Sequence, residues 1–201
     1  MKKIWIAYAA LIPLCIGFYK VNELNYSKQK EIEAKLVQHP EMLPESTPAK
    51  ISSFGFQNVL ADMYWIHSIQ YIGGNVISEA YKKYLYSMLD LITDLSPYFE
   101  APYVIGQLLL PAESHDTENL SEKEKYILQA EKLGLKGISY FCDPRKLENI
   151  KKEDNLQKIT QEALYKNPCK SHKIPYYLAF IYYFYKNDGI EAAYYYKVTA
   201  A

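Results

Sequence analysis

The chain has little glycine, one arginine and no surplus of either charge. Eight glycines in 201 residues are too few for a glycine-rich, ligand-cradling architecture. Arg145 is the single arginine, and 23 basic residues balance 23 acidic ones. That balance removes the electrostatic case for nucleic acid or an acidic substrate. Alternating apolar and polar residues do not run long enough anywhere for a strand. No nucleophile-and-base constellation or other catalytic motif is present, so the reading is of a binding protein and not of an enzyme, with no cofactor.

Cysteine is scarce too, at three residues. Cys15 lies in an apolar N-terminal run, and Leu14 before it is bulky where a lipoprotein site needs a small residue. Cys142 and Cys169 are candidates for a disulfide, although spacing alone does not decide it. Cys169 and His172 stand three apart, but a zinc site needs four ligands, and no second closely spaced pair accompanies them. No metal is therefore expected.

What the chain has in excess is tyrosine, 21 residues against 7 phenylalanines and 2 tryptophans. The stretch from Lys173 to Ala200 alone carries eight. Its uncharged run, Ile174 to Tyr185, is too short to span a bilayer. Asn187-Asp188-Gly189 divides it into two helices.

The first 21 residues read differently. Lys2 and Lys3 precede an uncharged run from Ile4 to Tyr19, with Trp5, Tyr8 and Tyr19 suited to an interface and Lys3 and Lys20 able to snorkel. No small-x-small cleavage site follows, so residues 1–21 are expected to be an uncleaved, single-pass transmembrane signal anchor, touching the membrane through residues 4–21. The short basic tail places the remainder outside the cytoplasm. Residues 22–50 form a linker, helix-compatible at first and then broken by Pro40, Pro44 and Pro48.

A helical domain is expected over 51–201. Residues 52–74 form one helix, with Ser52 or Ser53 as cap and Gly73-Gly74 as stop. Its apolar band is wide, with Val59, Met63, Ile66 and Gln70 in one stripe and Leu60, Tyr64, His67 and Tyr71 beside it, so it is expected to meet more than one neighbour. Asp62, Trp65 and His67 share this helix, and structural roles account for them: Asp62 bonding a neighbouring loop or terminus, His67 filling a packing position. Further helices are expected at 77–96, at 99–112 with Pro102 in the first turn, and at 121–140. Ser121 and Glu124 form a capping box there, and Gly134 and Gly137 end or bend that helix. Residues 145–168 read as a charged helix with Leu156, Ile159 and Leu164 as its apolar set. Asp90 and Asp94 share a face that is expected to be solvated.

Small residues recur beside large ones in these helices. Tyr64, His67-Ser68 and Tyr71 make one set. Ile105-Gly106 with Leu109 make a second, and Leu178-Ala179 with Tyr182 a third. Ala192 and Tyr196 occupy the partner helix of the last. A small residue beside a large one lets a second helix approach. This spacing resembles the tetratricopeptide repeat family, over about residues 54–201, with "LSPYFEAPYVIGQLLL" as its best match. "FQNVLADMYWIHSIQYIG" is also similar to membrane-anchored bacterial repeat proteins with an Ala-Asp-x-x-Trp helix. Ser68 and Ala179 depart from the family's usual glycine, Pro97 to Gly106 is one residue tight, and 121–170 carries extra residues.

The resemblance implies an all-α fold of antiparallel helical hairpins in a right-handed superhelix behind the N-terminal transmembrane helix. It implies a scaffold for a protein or peptide partner, in envelope assembly or export. Tyr177 and Tyr195 are the residues expected to face such a partner. The alternative is an accessory or regulatory region of a larger enzyme whose catalytic part lies outside this chain. Ala201 falls within an apolar helix without a polar closing face, as in a truncated solenoid, and self-association through that open helix is a further expectation.

Overall fold

A computed structural model describes residues 43–75, 81–112 and 120–201, together with Gly17, Tyr19 to Val21 and Glu23. The chain divides into two units, Met1–Met42 and Leu43–Ala201. Most of the expected membrane anchor and most of the linker lie outside the described residues. Among the described residues, no helix is long and apolar enough to cross a membrane.

The second unit is all-helical among its described residues: α1 (Ser46–Ser52), α2 (Gln57–Asn75), α3 (Lys82–Leu95), α4 (Glu100–Leu109), α5 (Leu120–Phe141), α6 (Pro144–Lys152), α7 (Leu156–Gln161), α8 (Lys173–Phe180, continued by a π turn over Ile181–Tyr185) and α9 (Gly189–Ala200). The one extended contact is an isolated antiparallel bridge between Cys142 and Cys169.

α1 lies where the sequence suggests linker. Ser52 and Ser53 close it, and neither caps α2: their hydroxyls donate back to the Ala49 and Lys50 carbonyls at 3.1 and 2.7 Å. Phe54 and Gly55 then turn the chain with positive φ, a conformation glycine adopts without cost. α2 passes through Gly73 and Gly74 to Asn75, whose side-chain amide donates to the Tyr71 carbonyl at 2.9 Å.

Consecutive helices pack on each other, α2 with α3, α4 with α5, and α8 with α9. α4 also contacts α3 and α8, and α5 contacts α3 and α8. The core follows the apolar faces, with Leu85, Leu89, Ile92, Tyr103, Leu133, Ile174 and Leu178 all about fully buried. Small residues stand where helices close on one another: Ser68, Gly106, Ala179 and Ala192 are all buried. Ser68 satisfies its hydroxyl by donating to the Tyr64 carbonyl at 2.8 Å. A Cβ on Gly106 would lie 2.2 Å from Leu133 Cδ2.

The same reasoning corrects Gly134 and Gly137. They neither end nor bend α5, which continues to Phe141. A Cβ at Gly134 would meet Gln107 and Leu178 at 2.9 Å, and one at Gly137 would meet Ile174 and Tyr103 at 3.0 Å. These glycines are the seats on which α4 and α8 rest. Ser121 lies inside the first turn of α5 rather than before it, so it does not hold the capping-box position.

Residues 145–168 are two short helices, not one. Glu153 and Asp154 separate them, and Asn155 caps α7 by accepting from the Gln157 and Lys158 amides at 3.0 and 3.3 Å. Of the expected apolar set only Ile159 is buried; Leu156 and Leu164 are exposed. Ile150, Ile159 and Tyr165 form a small second core with Val198 of α9. The Asn167 amide donates to the Ala201 carbonyl at 3.0 Å. The end of α9, expected to lie open, is therefore covered on one side by the α6–α7 excursion.

That excursion is closed at its base. Cys142 and Cys169 form a disulfide, with Cα atoms 3.9 Å apart and a sequence separation of 27. Backbone bonds from the Asp143 amide to Pro168 and from the Lys170 amide to Phe141, both 2.8 Å, flank it.

Candidate partner-binding surface

The tyrosine-rich hairpin supplies the candidate surface, and the π turn sorts its rings. Over Ile181–Tyr185 the helix widens, and the Lys186 amide donates to the Ile181 carbonyl at 3.1 Å, five residues back. Such a turn takes up an extra residue and rotates the side chains that follow. Asn187, with positive φ, and Asp188, whose carboxylate accepts from the Glu191 amide at 3.1 Å, then start α9.

Inside the hairpin, Tyr182 and Tyr195 are stacked, with centroids 5.5 Å apart and planes 5° from parallel. The Tyr182 hydroxyl donates to Glu131 Oε1 at 2.7 Å, and the Lys186 ammonium donates to the same oxygen at 2.6 Å. Lys186 also lies 4.9 Å over the Tyr182 ring. Burial pushes both hydroxyls well above the ordinary tyrosine range, and the Glu131 carboxylate adds to the effect at each. These two rings are a structural clamp between α5, α8 and α9.

Outside it lies a second set. Tyr176, Tyr183 and Phe184 are 44%, 56% and 61% exposed. Tyr176 stands edge-on to Tyr177 at 5.3 Å and to Tyr196 at 6.0 Å. Burial, followed by the nearby Tyr176 and Tyr183 hydroxyls, raises the Tyr196 hydroxyl. Tyr183 packs against Phe184 at 4.8 Å. A cleft of about 350 Å³ adjoins, lined by Lys123, Phe180, Phe184 and Tyr185.

Tyr177 thus stands half-buried at the edge of the exposed set, whereas Tyr195, expected to face a partner, is buried against Tyr182. Tyr196, expected to pack, is half-buried on the outer side. Tyr196 does pack, against the edge of the main core, while Tyr195 takes a packing role that sequence did not assign to it. Tyr176 and Tyr183 were not singled out by sequence, although their seven-residue spacing places them on one helix face. Tyr98 and Tyr140 also go unmarked there; they make an exposed ring pair at 6.1 Å, with Lys170 5.2 Å over Tyr98.

The remaining polar candidates have structural partners or none. Asp90 and Asp94 are not merely solvated: Lys136 of α5 bridges their carboxylates at 2.6 and 2.7 Å. Partial burial alone would raise the Asp94 carboxyl, but the hydrogen bond and charge of Lys136 prevail and hold it below the usual range. Trp65 is half-buried, edge-on to Phe99 at 5.5 Å. Asp62 is exposed. Tyr64 and His67 are half-buried and Tyr71 is buried; Ile105 and Leu109 are half-buried beside buried Gly106. Among the described residues, no group of three or more His, Cys, Asp or Glu is placed to hold a metal. Compared with family models, curated proteins and solved structures, the chain matches none.

Proposed function

We propose that this chain is a membrane-anchored scaffold of tetratricopeptide-like helical hairpins, whose outward tyrosine face binds a protein or peptide partner outside the cytoplasm, in envelope assembly or export. The observation that carries the reading is the division of rings in the last hairpin. Tyr182 and Tyr195 are buried in the hairpin's packing, and Tyr176, Tyr183 and Phe184 keep much of their surface exposed while touching neighbouring rings. Exposed aromatic rings give a partner large contact area at low entropic cost, and their hydroxyls reach polar groups.

Two further observations support it. α4 touches α3, before its own pair, and α8, in the last hairpin, as stacked hairpins of a solenoid do. The Cys142–Cys169 bridge suits an oxidising compartment.

Photocrosslinking side chains placed at Tyr176 or Tyr183 of the full chain, in cells, test the reading. Both positions should capture the same protein, and capture should be lost in the double variant Tyr176→Ala, Tyr183→Ala with helical content unchanged. Absence of any reproducible adduct would count against the scaffold. A reporter fused at Ala49 tests the topology, and activity in the cytoplasm would overturn it.

A further inference from the structure

α2 presents a second surface, with a pattern of its own. Its buried side carries Ala61, Ser68 and Tyr71. On the opposite side Val59, Met63 and Ile66 are 56%, 43% and 56% exposed, Gln70 is exposed as well, and Phe56, the residue before the helix, continues the line at 69%. Their spacing is three, four, three, four, which is the a/d seam of a two-helix coiled coil. Ile69, 44% exposed, borders the seam. Scattered apolar residues on a surface need no explanation, but a contiguous seam about 20 Å long does.

The flanks say what fits. With Phe56, Met63 and Gln70 at a positions, Asp62 takes a g position and His67 the e position five residues later. In a parallel pair, g of one helix meets e of the other at that offset. Asp62 is an exposed acid on one edge of the seam, and His67 is a half-buried imidazole on the other. A second α2 in parallel register therefore brings an acceptor carboxylate beside an imidazole on both sides of the seam. Gln70 would meet its own copy, as a polar a residue does when it fixes register.

We propose that a second copy of this chain docks on the exposed face of α2, as a parallel, two-fold pairing of the two α2 helices with Asp62 of each copy beside His67 of the other. The inference goes beyond the tyrosine-face reading and does not depend on it. A single seam of this length is small for a stable dimer, so association belongs in the micromolar range.

Single cysteines in the full chain decide the matter. In a Cys15→Ser background, with Cys142 and Cys169 held in their disulfide, Val59→Cys and Ile66→Cys should each yield a covalent dimer with a short bismaleimide. Asn58→Cys, exposed on α2 but off the seam, should not. By sedimentation equilibrium, Met63→Glu should weaken self-association by at least about tenfold without loss of helicity. Asp62→Lys should weaken it by about threefold. The proposal is overturned by a wild-type chain that stays monomeric, by linkage at only one of the two seam positions (the mark of an antiparallel pair), by equal linkage at Asn58→Cys, or by a Met63→Glu chain that dimerises as wild type.

Discussion

Replacing Gly106 by alanine adds one methyl group where two helices leave no room for it. The new Cβ would lie 2.2 Å from Leu133 Cδ2 and 2.9 Å from Leu89 Cδ1. Leu133 is 1% exposed and Leu89 fully buried, so no open space receives the displaced atoms. Overpacking of this kind costs about 1–3 kcal/mol. Alanine gives back about 1 kcal/mol through helix propensity. The net expectation is a loss of up to about 2 kcal/mol, centred near 1 kcal/mol, which for a domain of this size lowers the melting temperature by about 3 °C. Gly73 is the control. It too is helical, but nothing lies within 4 Å of its Cβ position. Gly73→Ala should stabilise by about 0.5–1 kcal/mol. Urea unfolding followed by circular dichroism measures both. If Gly106→Ala stabilises the protein as Gly73→Ala does, helix closeness at this glycine is not what the residue serves, and the packing argument falls.

Other perturbations have signs fixed by the structure. Cys142→Ser with Cys169→Ser opens a loop of 27 residues and should cost roughly 3.5 kcal/mol in the chain-entropy account; thiol titration of the unfolded wild type should find one free cysteine before reduction and three after. Lys136→Met removes the bridge between α5 and the α3 carboxylates, with an expected loss of about 1–2 kcal/mol by urea unfolding. The same bridge sets a pH window. The folded Asp94 carboxyl lies below its unfolded value, so its contribution is complete above about pH 4 and fades as pH falls through the folded value. The folded Lys136 ammonium lies above its unfolded value, so its contribution is complete below about pH 10 and is lost as pH rises through the folded value; Lys136→Met should flatten the acid limb of a stability profile. Tyr103, Tyr182 and Tyr195 have hydroxyls raised by burial, and their stabilisation is likewise lost as pH climbs above about 10; tyrosinate absorbance from these rings should appear only with unfolding.

Much of the helical layout was legible because period and punctuation agree. Pro97 follows α3, Pro102 sits in the first turn of α4, and Asn187-Asp188-Gly189 separates α8 from α9. Ser68, Gly106, Ala179 and Ala192 were identifiable as small packing residues, and all four are buried. Glycine misled where it had a second use. Gly134 and Gly137 read as stops by propensity, yet the close approach of α4 and α8 outweighs the roughly 1 kcal/mol that each costs a helix. The tyrosine run defeated periodicity for another reason. Adjacent tyrosines differ by one helical step, and α9 starts afresh after the turn at Asn187 and Asp188, so which of Tyr195 and Tyr196 lies deeper depends on how α9 docks on α8. On α2 both apolar stripes were visible; among the described residues α3 packs on the helix and Phe99 meets Trp65, while the Val59–Met63–Ile66 stripe is exposed.

The disulfide also has a mechanical meaning. Tension applied between Leu43 and Ala201 would travel through the backbone to Cys142, cross the sulfur–sulfur bond and resume at Cys169. Residues 143–168 would lie outside the covalent line of force as a ring, loaded only through their contacts with α9. A pulled, oxidised chain would stop about 90 Å short of the length reached after reduction, at about 3.4 Å for each of the 27 residue steps bypassed. Under load, α6 and α7 would part from α9, yet the sulfur–sulfur bond would keep them from being drawn out along the line of force.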